Sequence, residues 1–161
     1  MTNKNKIHVT TRAAIIDLDQ ILLCKTTDLA SNFYFMPGGH IEHGESAENA
    51  LLRELVEETG SNGKIKRLLG MMEYSFEPGH SSICHNHEYS FYFEVNLDNL
   101  SYGDNLPKLE DNIDLVWVKI EELLNLDFRP EPIARLLPTW LAQTSGSSFH
   151  SEMKLIIKES S

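Results

Sequence analysis

A mixed α/β domain is predicted, with strands before, between and after the helices rather than a repeating βαβ series. Three observations predict it. Residues 87–97 alternate strictly, Tyr89, Phe91, Phe93 and Val95 facing one way and Glu88, Ser90, Tyr92 and Glu94 the other, which is the period of a strand. Residues 46–59 carry apolar side chains at helical spacing, between a good N-cap in Ser46 and a glycine, Gly60, where a left-handed terminator belongs. The chain has 161 residues, 41% of them hydrophobic, which is enough for one buried core.

Taken in order, Ile7 to Thr27 reads as two apolar strands around the polar turn Asp17 to Gln20, a β-hairpin. Phe33 to Met36 is a short aromatic strand that stops at Pro37-Gly38-Gly39, because proline removes a ladder donor and the glycines allow positive φ. His40 to Glu42 adds a brief strand. The helix from Ser46 to Thr59 gathers Leu51, Leu52, Leu55, Val56 and Thr59 on one side and Glu54, Glu57 and Glu58 on the other. Ile65 to Phe76 is a long strand or a bent pair, and Pro78 to Asn86 is a loop. After the strand at 87–97, an acidic connection runs from Asp98 to Asn112. A strand with Trp117 covers Ile113 to Val118, a short helix Glu121 to Leu126, and a second helix Pro130 to Leu141, interrupted at Pro138. The domain is drawn over residues 1–142, and the Ser-rich stretch 143–161 reads as a loosely held tail.

Composition narrows the function. The net charge is −10, and a surface that acidic repels duplex nucleic acid and anionic lipid, both of which are held mainly through Lys and Arg. No apolar run approaches the roughly 20 residues that span a membrane. The start carries no apolar leader core and Cys24 and Cys84 form no CxxC pair, so the expectation is a cytoplasmic protein with reduced thiols.

Glu54, Glu57 and Glu58 fall at i, i+3 and i+4 near the negative end of their helix, with no lysine four residues on to relieve them. In a cleft such carboxylates would be driven to protonate. A hard divalent cation resolves the conflict. Mg²⁺ takes oxygen ligands, keeps some waters, and can hold carboxylates and phosphate oxygens together, so an acidic protein could bind an anionic phosphate ester.

Gly39, five residues, Glu45, seven residues, then Arg53-Glu54-Leu55-Val56-Glu57-Glu58-Thr59-Gly60 resembles the Nudix box of the Nudix hydrolase family. At roughly 7% usage per fixed residue, seven matches occur by chance about once in 10⁸ positions. Ser61 departs from the aliphatic residue usual at the end of the box. The resemblance implies an α/β/α sandwich with a mixed sheet. It implies Glu57 and Glu58 as principal metal ligands, Glu54 as a further ligand or general base, and a backbone carbonyl at Gly38 or Gly39 completing the site. Arg53 and Glu45 would pair and brace the loop against the helix. The implied reaction is hydrolysis of a diphosphate linkage in a nucleoside diphosphate joined to another moiety, with Mg²⁺ (or Mn²⁺), by a monomer or homodimer. A nucleotide-sensing module of the same fold is the alternative.

Outside the box, Glu88 is the candidate for an extra ligand or base, against the simpler reading of an exposed edge glutamate; Glu94 and Glu110 are lesser candidates. Phe35, His40 and Tyr92 are the candidates for substrate contact, although most aromatic residues in strands are core. His80, Cys84, His85 and His87 are zinc-ligand types at a spacing that fits no zinc pattern. Pro78 resembles the proline that marks ADP-ribose-hydrolysing members, and no tyrosine lies at 77–79 to favour dinucleoside polyphosphates.

Overall fold

The hub of the sheet is β1 (His8–Asp17), because three other strands pair with it. Description rests on a computed structural model and covers residues 6–27, 30, 32–75 and 87–153. The readings placed on Pro78, His80, Cys84 and His85 lie outside the described residues.

β1 turns through Leu18, whose φ is 57°, into β2 (Gln20–Thr26) and meets it only at the hairpin end. Beyond that, β1 pairs antiparallel with β4 (Gly38–His40) and parallel with β6 (His87–Leu97). β2 continues against β3 (Tyr34–Phe35) and β7 (Ile113–Lys119). β5 (Gly63–Ser75) runs antiparallel to β6, with irregularities at Ile65/Arg67 and Leu68/Gly70 that bend it. The expected bent strand is thus one element. Gly38 and Gly39, read as a turn, are strand together with His40, since Thr10 to Arg12 offer them an edge to pair with.

Helices cover both faces. α1 (Ala47–Thr59) places Leu51 and Leu55 against Ala13, Ile15, Phe93 and Val95. α2 (Pro132–Ala142) places Ile133, Leu137 and Trp140 against Ala14, Leu69, Met72 and Tyr92. Neighbouring residues of β1 therefore serve opposite cores, as a strand covered on both sides requires. The result is the α/β/α sandwich with a mixed sheet. α2 runs on through Pro138, which removes only one helical hydrogen bond. A 3-10 helix at Ile120–Asn125 takes the place of the expected short helix. No helix among the described residues is long and apolar enough to cross a membrane.

The stretch expected as a loose tail contributes β8 (Ser148–Ser151), parallel to β5 at the sheet edge. Its anchorage explains the difference. Arg67 donates from Nη2 to Leu141 O at 2.9 Å and from Nη1 to Gln143 O, satisfying carbonyls that the end of α2 leaves open. Ser148 Oγ donates to the Gln143 side chain at 3.0 Å, and Arg135 pairs with Glu152 at 2.8 Å. Arg67 is held in turn by Glu94, 2.7 Å from Nε. Burial raises the Glu94 carboxyl, but Lys66 and Arg67 outweigh it and hold it below its ordinary range. Arg67→Ala strands those carbonyls and is expected to cost roughly 1.5–3 kcal/mol. Urea unfolding checks this, and an unchanged midpoint would dismiss the clamp.

Candidate active site

Two glycines let β4 lie against the sheet and the helix at once. A Cβ at Gly38, whose φ is 136°, would sit 2.0 Å from the Thr11 carbonyl oxygen. A Cβ at Gly39 would sit 2.4 Å from Glu54 Oε1. Only glycine permits both approaches. α1 begins where the sequence places it. Ser46 Oγ accepts from the Asn49 N–H at 3.1 Å, and Gly60 ends the helix at φ 69° with its N–H on Val56 O.

Arg53 is the centre of the brace. Its Nε donates to Glu45 Oε1 at 2.7 Å and its Nη2 to Glu45 Oε2 at 3.0 Å, a bidentate pair. Nη2 also reaches His40 O at 3.2 Å, while Nη1 donates to Glu54 Oε1 at 2.9 Å and lies 3.4 Å from Glu57 Oε1. Glu45 accepts from the Glu42 N–H as well, at 3.0 Å. The Arg53 hydrogen bond is the main reason the Glu45 carboxyl is lowered to about 2, and Glu45 in return raises Arg53. Loop 40–45 and helix α1 are thereby one rigid unit.

The three carboxylates have different surroundings. Glu57 is exposed. Glu54 is half-buried against Gly39. Glu58 is buried and accepts from the Gly38 N–H at 2.8 Å. The expected apolar stripe included Val56 and placed Glu58 on the opposite face; instead Val56 is 45% exposed and Glu58 is 9% exposed, because the helix turns this carboxylate under β4. Burial pushes the Glu58 carboxyl up to about 8 against the opposing Gly38 N–H and Arg12 charge, with Glu54 and Glu110 raising it further.

Arg12 was not singled out by the sequence. Its Nη1 donates to Met36 O and to Gly38 O, each at 3.1 Å, and so fixes the backbone that presents Gly38 to Glu58. An arginine within the apolar run of β1 was the available signal. Among carboxylates outside the box, Glu110 acts electrostatically on Glu58. Glu88 sits in register with His8, on the strand face that carries Ser90 and Tyr92, and accepts from Thr10 Oγ1 at 3.1 Å and Ser90 Oγ at 2.5 Å. Glu94 belongs to the α2 clamp.

The proposed substrate contacts separate. Phe35 packs half-buried beside the α1 core, 5.8 Å from the Arg12 guanidinium. His40 is exposed, its ring 2.8 Å from His8 Nδ1 through Nε2. The Tyr92 ring is core, 1% exposed and edge-on to Trp140 at 5.7 Å, because the even-numbered face of β6 lies beneath α2.

Among the described residues no three His, Cys, Asp or Glu side chains converge on one point. Like charges separate: Glu54 and Glu57 turn to Arg53, and Glu58 to Gly38. The donor set nevertheless suits a hard divalent cation. It is all oxygen, and it includes a buried carboxylate whose charge has one N–H to answer it.

A family model described as NUDIX domain matches residues 6–140. The NAD-capped RNA hydrolase NudC of Pseudomonas syringae pv. tomato is 27% identical over 129 residues, covering 80% of this chain and 42% of that protein. The ADP-ribose pyrophosphatase of Methanocaldococcus jannaschii is 30% identical over 128 residues, covering 78% of this chain and 70% of that protein. This chain thus spans less than half the length of the first of these relatives. Among solved structures, a NUDIX hydrolase from Nitrosomonas europaea shares the fold with a TM-score of 0.68 at 24% identity, over 85% of this chain and 90% of that one. With the brace of Arg53 and Glu45, the paired glycines and a match over most of its length, this chain belongs to the NUDIX domain family.

Proposed function

We propose that the chain is a metal-dependent pyrophosphohydrolase that cleaves the diphosphate linkage of a nucleoside diphosphate joined to a second moiety. Nucleoside triphosphates and ADP-ribose-like compounds are the leading substrates. The observation that carries the reading is the arrangement around Arg53, which holds Glu45, Glu54, Glu57 and the His40 carbonyl against a helix whose buried face presents Glu58.

Glu57 and Glu58, with Glu54 and a carbonyl at Gly38 or Gly39, would hold Mg²⁺, and Mn²⁺ would substitute. Once bound, the cation neutralises phosphate oxygens and lowers the pKa of an attacking water. The chain's own residues do the rest. Glu58 lies beneath β4, where solvent is excluded and charge is felt strongly. Glu54, half-buried and oriented by Arg53, is placed to accept a proton as general base or to serve as a further ligand. Arg53 and Glu45 hold the helix and its preceding loop in register, a positioning role. Arg12 does the same for the Gly38 backbone. Glu110 joins Glu88 as a source of an additional carboxylate. The setting is cytoplasmic and the assembly a monomer or homodimer.

The test is a nucleotide panel with Mg²⁺ and with Mn²⁺, reading nucleoside monophosphate, phosphate and pyrophosphate. Turnover of a diphosphate-linked nucleotide that chelator abolishes and added cation restores is expected. Binding without turnover across the panel would replace this reading with that of a nucleotide-sensing module.

A further inference from the structure

β1 carries two threonines in succession, and their hydroxyls fare differently. Thr10 faces the α2 side, where its Oγ1 meets Ser90 Oγ at 2.7 Å and Glu88 Oε1 at 3.1 Å. Thr11 shares the other face with Ala13 and Ile15, which pack in the α1 core. It is fully buried, and its Oγ1 has no hydrogen-bond partner among the described residues. Buried hydroxyls in that condition are uncommon in folded proteins. Shape does not explain the choice of residue, because valine is branched in the same way without a polar atom.

The register of the strands identifies what lies beside this hydroxyl. Thr11 is paired with Gly39 of β4, so the two positions present the same face of the sheet, and directly opposed side chains start roughly 5 Å apart. Glu54 stands where a Gly39 side chain would be: a Cβ there would lie 2.4 Å from Oε1 and 2.8 Å from Oε2. The glycine thus lets the Glu54 carboxylate settle next to Thr11 on the α1 side of the sheet. Of its two oxygens, Oε1 accepts from Arg53 Nη1 at 2.9 Å, while Oε2 accepts no hydrogen bond among the described residues. A buried donor and a neighbouring acceptor are both unspent.

We infer that Thr11 is a positioning residue for Glu54: with the cation bound, its hydroxyl donates to Glu54 Oε2. One hydrogen bond to Oε1 fixes where the carboxylate is but not how it is rotated. Held by Arg53 at one oxygen and by Thr11 at the other, it keeps its remaining lone pairs in one direction, as a metal ligand and a general base both require. The inference rests on the metal-dependent reading of the site and adds to it a residue of β1, far from the helix in sequence.

Four proteins test it: wild type, Thr11→Val, Glu54→Ala and the double variant. Each is unfolded in urea, with chelator and with saturating Mg²⁺. In chelator, Thr11→Val removes a hydroxyl with no protein partner, so its midpoint should equal or exceed that of the wild type. With Mg²⁺ it should fall short of the wild type, and that deficit should vanish when Glu54 is already alanine, since the two groups act through one bond. Turnover of a diphosphate-linked nucleotide is read on the same four. Thr11→Val should lower kcat about tenfold, leave KM within about twofold, and cost nothing further in the Glu54→Ala background. Thr11→Ser keeps the hydroxyl and should restore most of kcat. Wild-type kcat in Thr11→Val, equal losses in both backgrounds, or a Thr11→Ser variant as impaired as Thr11→Val overturns the inference. If the wild type turns over no nucleotide, the pyrophosphohydrolase reading falls instead, and the urea comparison with Mg²⁺ still decides the contact: a deficit that persists in Glu54→Ala, or none at all, overturns it.

Discussion

Glu58→Gln is expected to stabilise the metal-free protein while lowering turnover by at least about 10²-fold. The two effects share one cause, a carboxylate kept in a buried place. Glu58 rises from an ordinary value of 4.5 to about 8, first through burial. Between those values the folded state keeps a proton that the unfolded state releases, so stability falls as pH rises from about 4.5 to about 8 and is level above that. The loss is on the order of a few kcal/mol. Glutamine keeps the acceptor for the Gly38 N–H and carries no charge, so the variant loses this slope. Urea unfolding in chelator at pH 5 and pH 8 measures it: wild type should weaken across the interval and Glu58→Gln should hold. Parallel profiles would refute the assignment. Added Mg²⁺ should restore stability to the wild type at pH 8 and do much less for the variant, since a bound cation favours the charged carboxylate.

Glu57→Gln is the complementary case. Its side chain is 57% exposed and touches Arg53 at 3.4 Å, so its stability change should stay within about 0.5 kcal/mol. Turnover should still fall by at least about 10²-fold, a loss of roughly 2.7 kcal/mol of transition-state stabilisation. Steady-state rates under saturating Mg²⁺ decide it, and near-native activity would remove Glu57 from the metal ligands. Together the two variants separate burial from chemistry: one changes activity and stability in opposite directions, the other activity alone.

Much of the fold was legible because local signals agreed. Ser46 and Gly60 bracket α1 by chemistry that acts within a few residues, and both caps form. The alternation of β6 holds in full, but both of its faces are buried, because helices cover the sheet on each side. What failed were readings that depended on a distant partner. β4 is a strand because β1 runs beside it, and β8 forms because Arg67 and β5 hold the chain that follows α2. Tyr92 was a candidate for substrate contact on the strand face it shares with Glu88 and Glu94, while α2 and Trp140 make it core.

The sequence alone determined the candidate carboxylates and their order along one helix, because residue type and spacing within about fifteen residues are local properties. The Arg53–Glu45 brace was legible only through the resemblance, and the two lie eight residues apart across the start of α1. Only the tertiary structure decided which carboxylate is buried, since that depends on β4 lying over Glu58 while Glu57 faces water. It alone brought Arg12 to Gly38, from elements far apart in the chain. The physical reason is that burial and electrostatic coupling depend on distance in space, which periodicity along one segment does not encode.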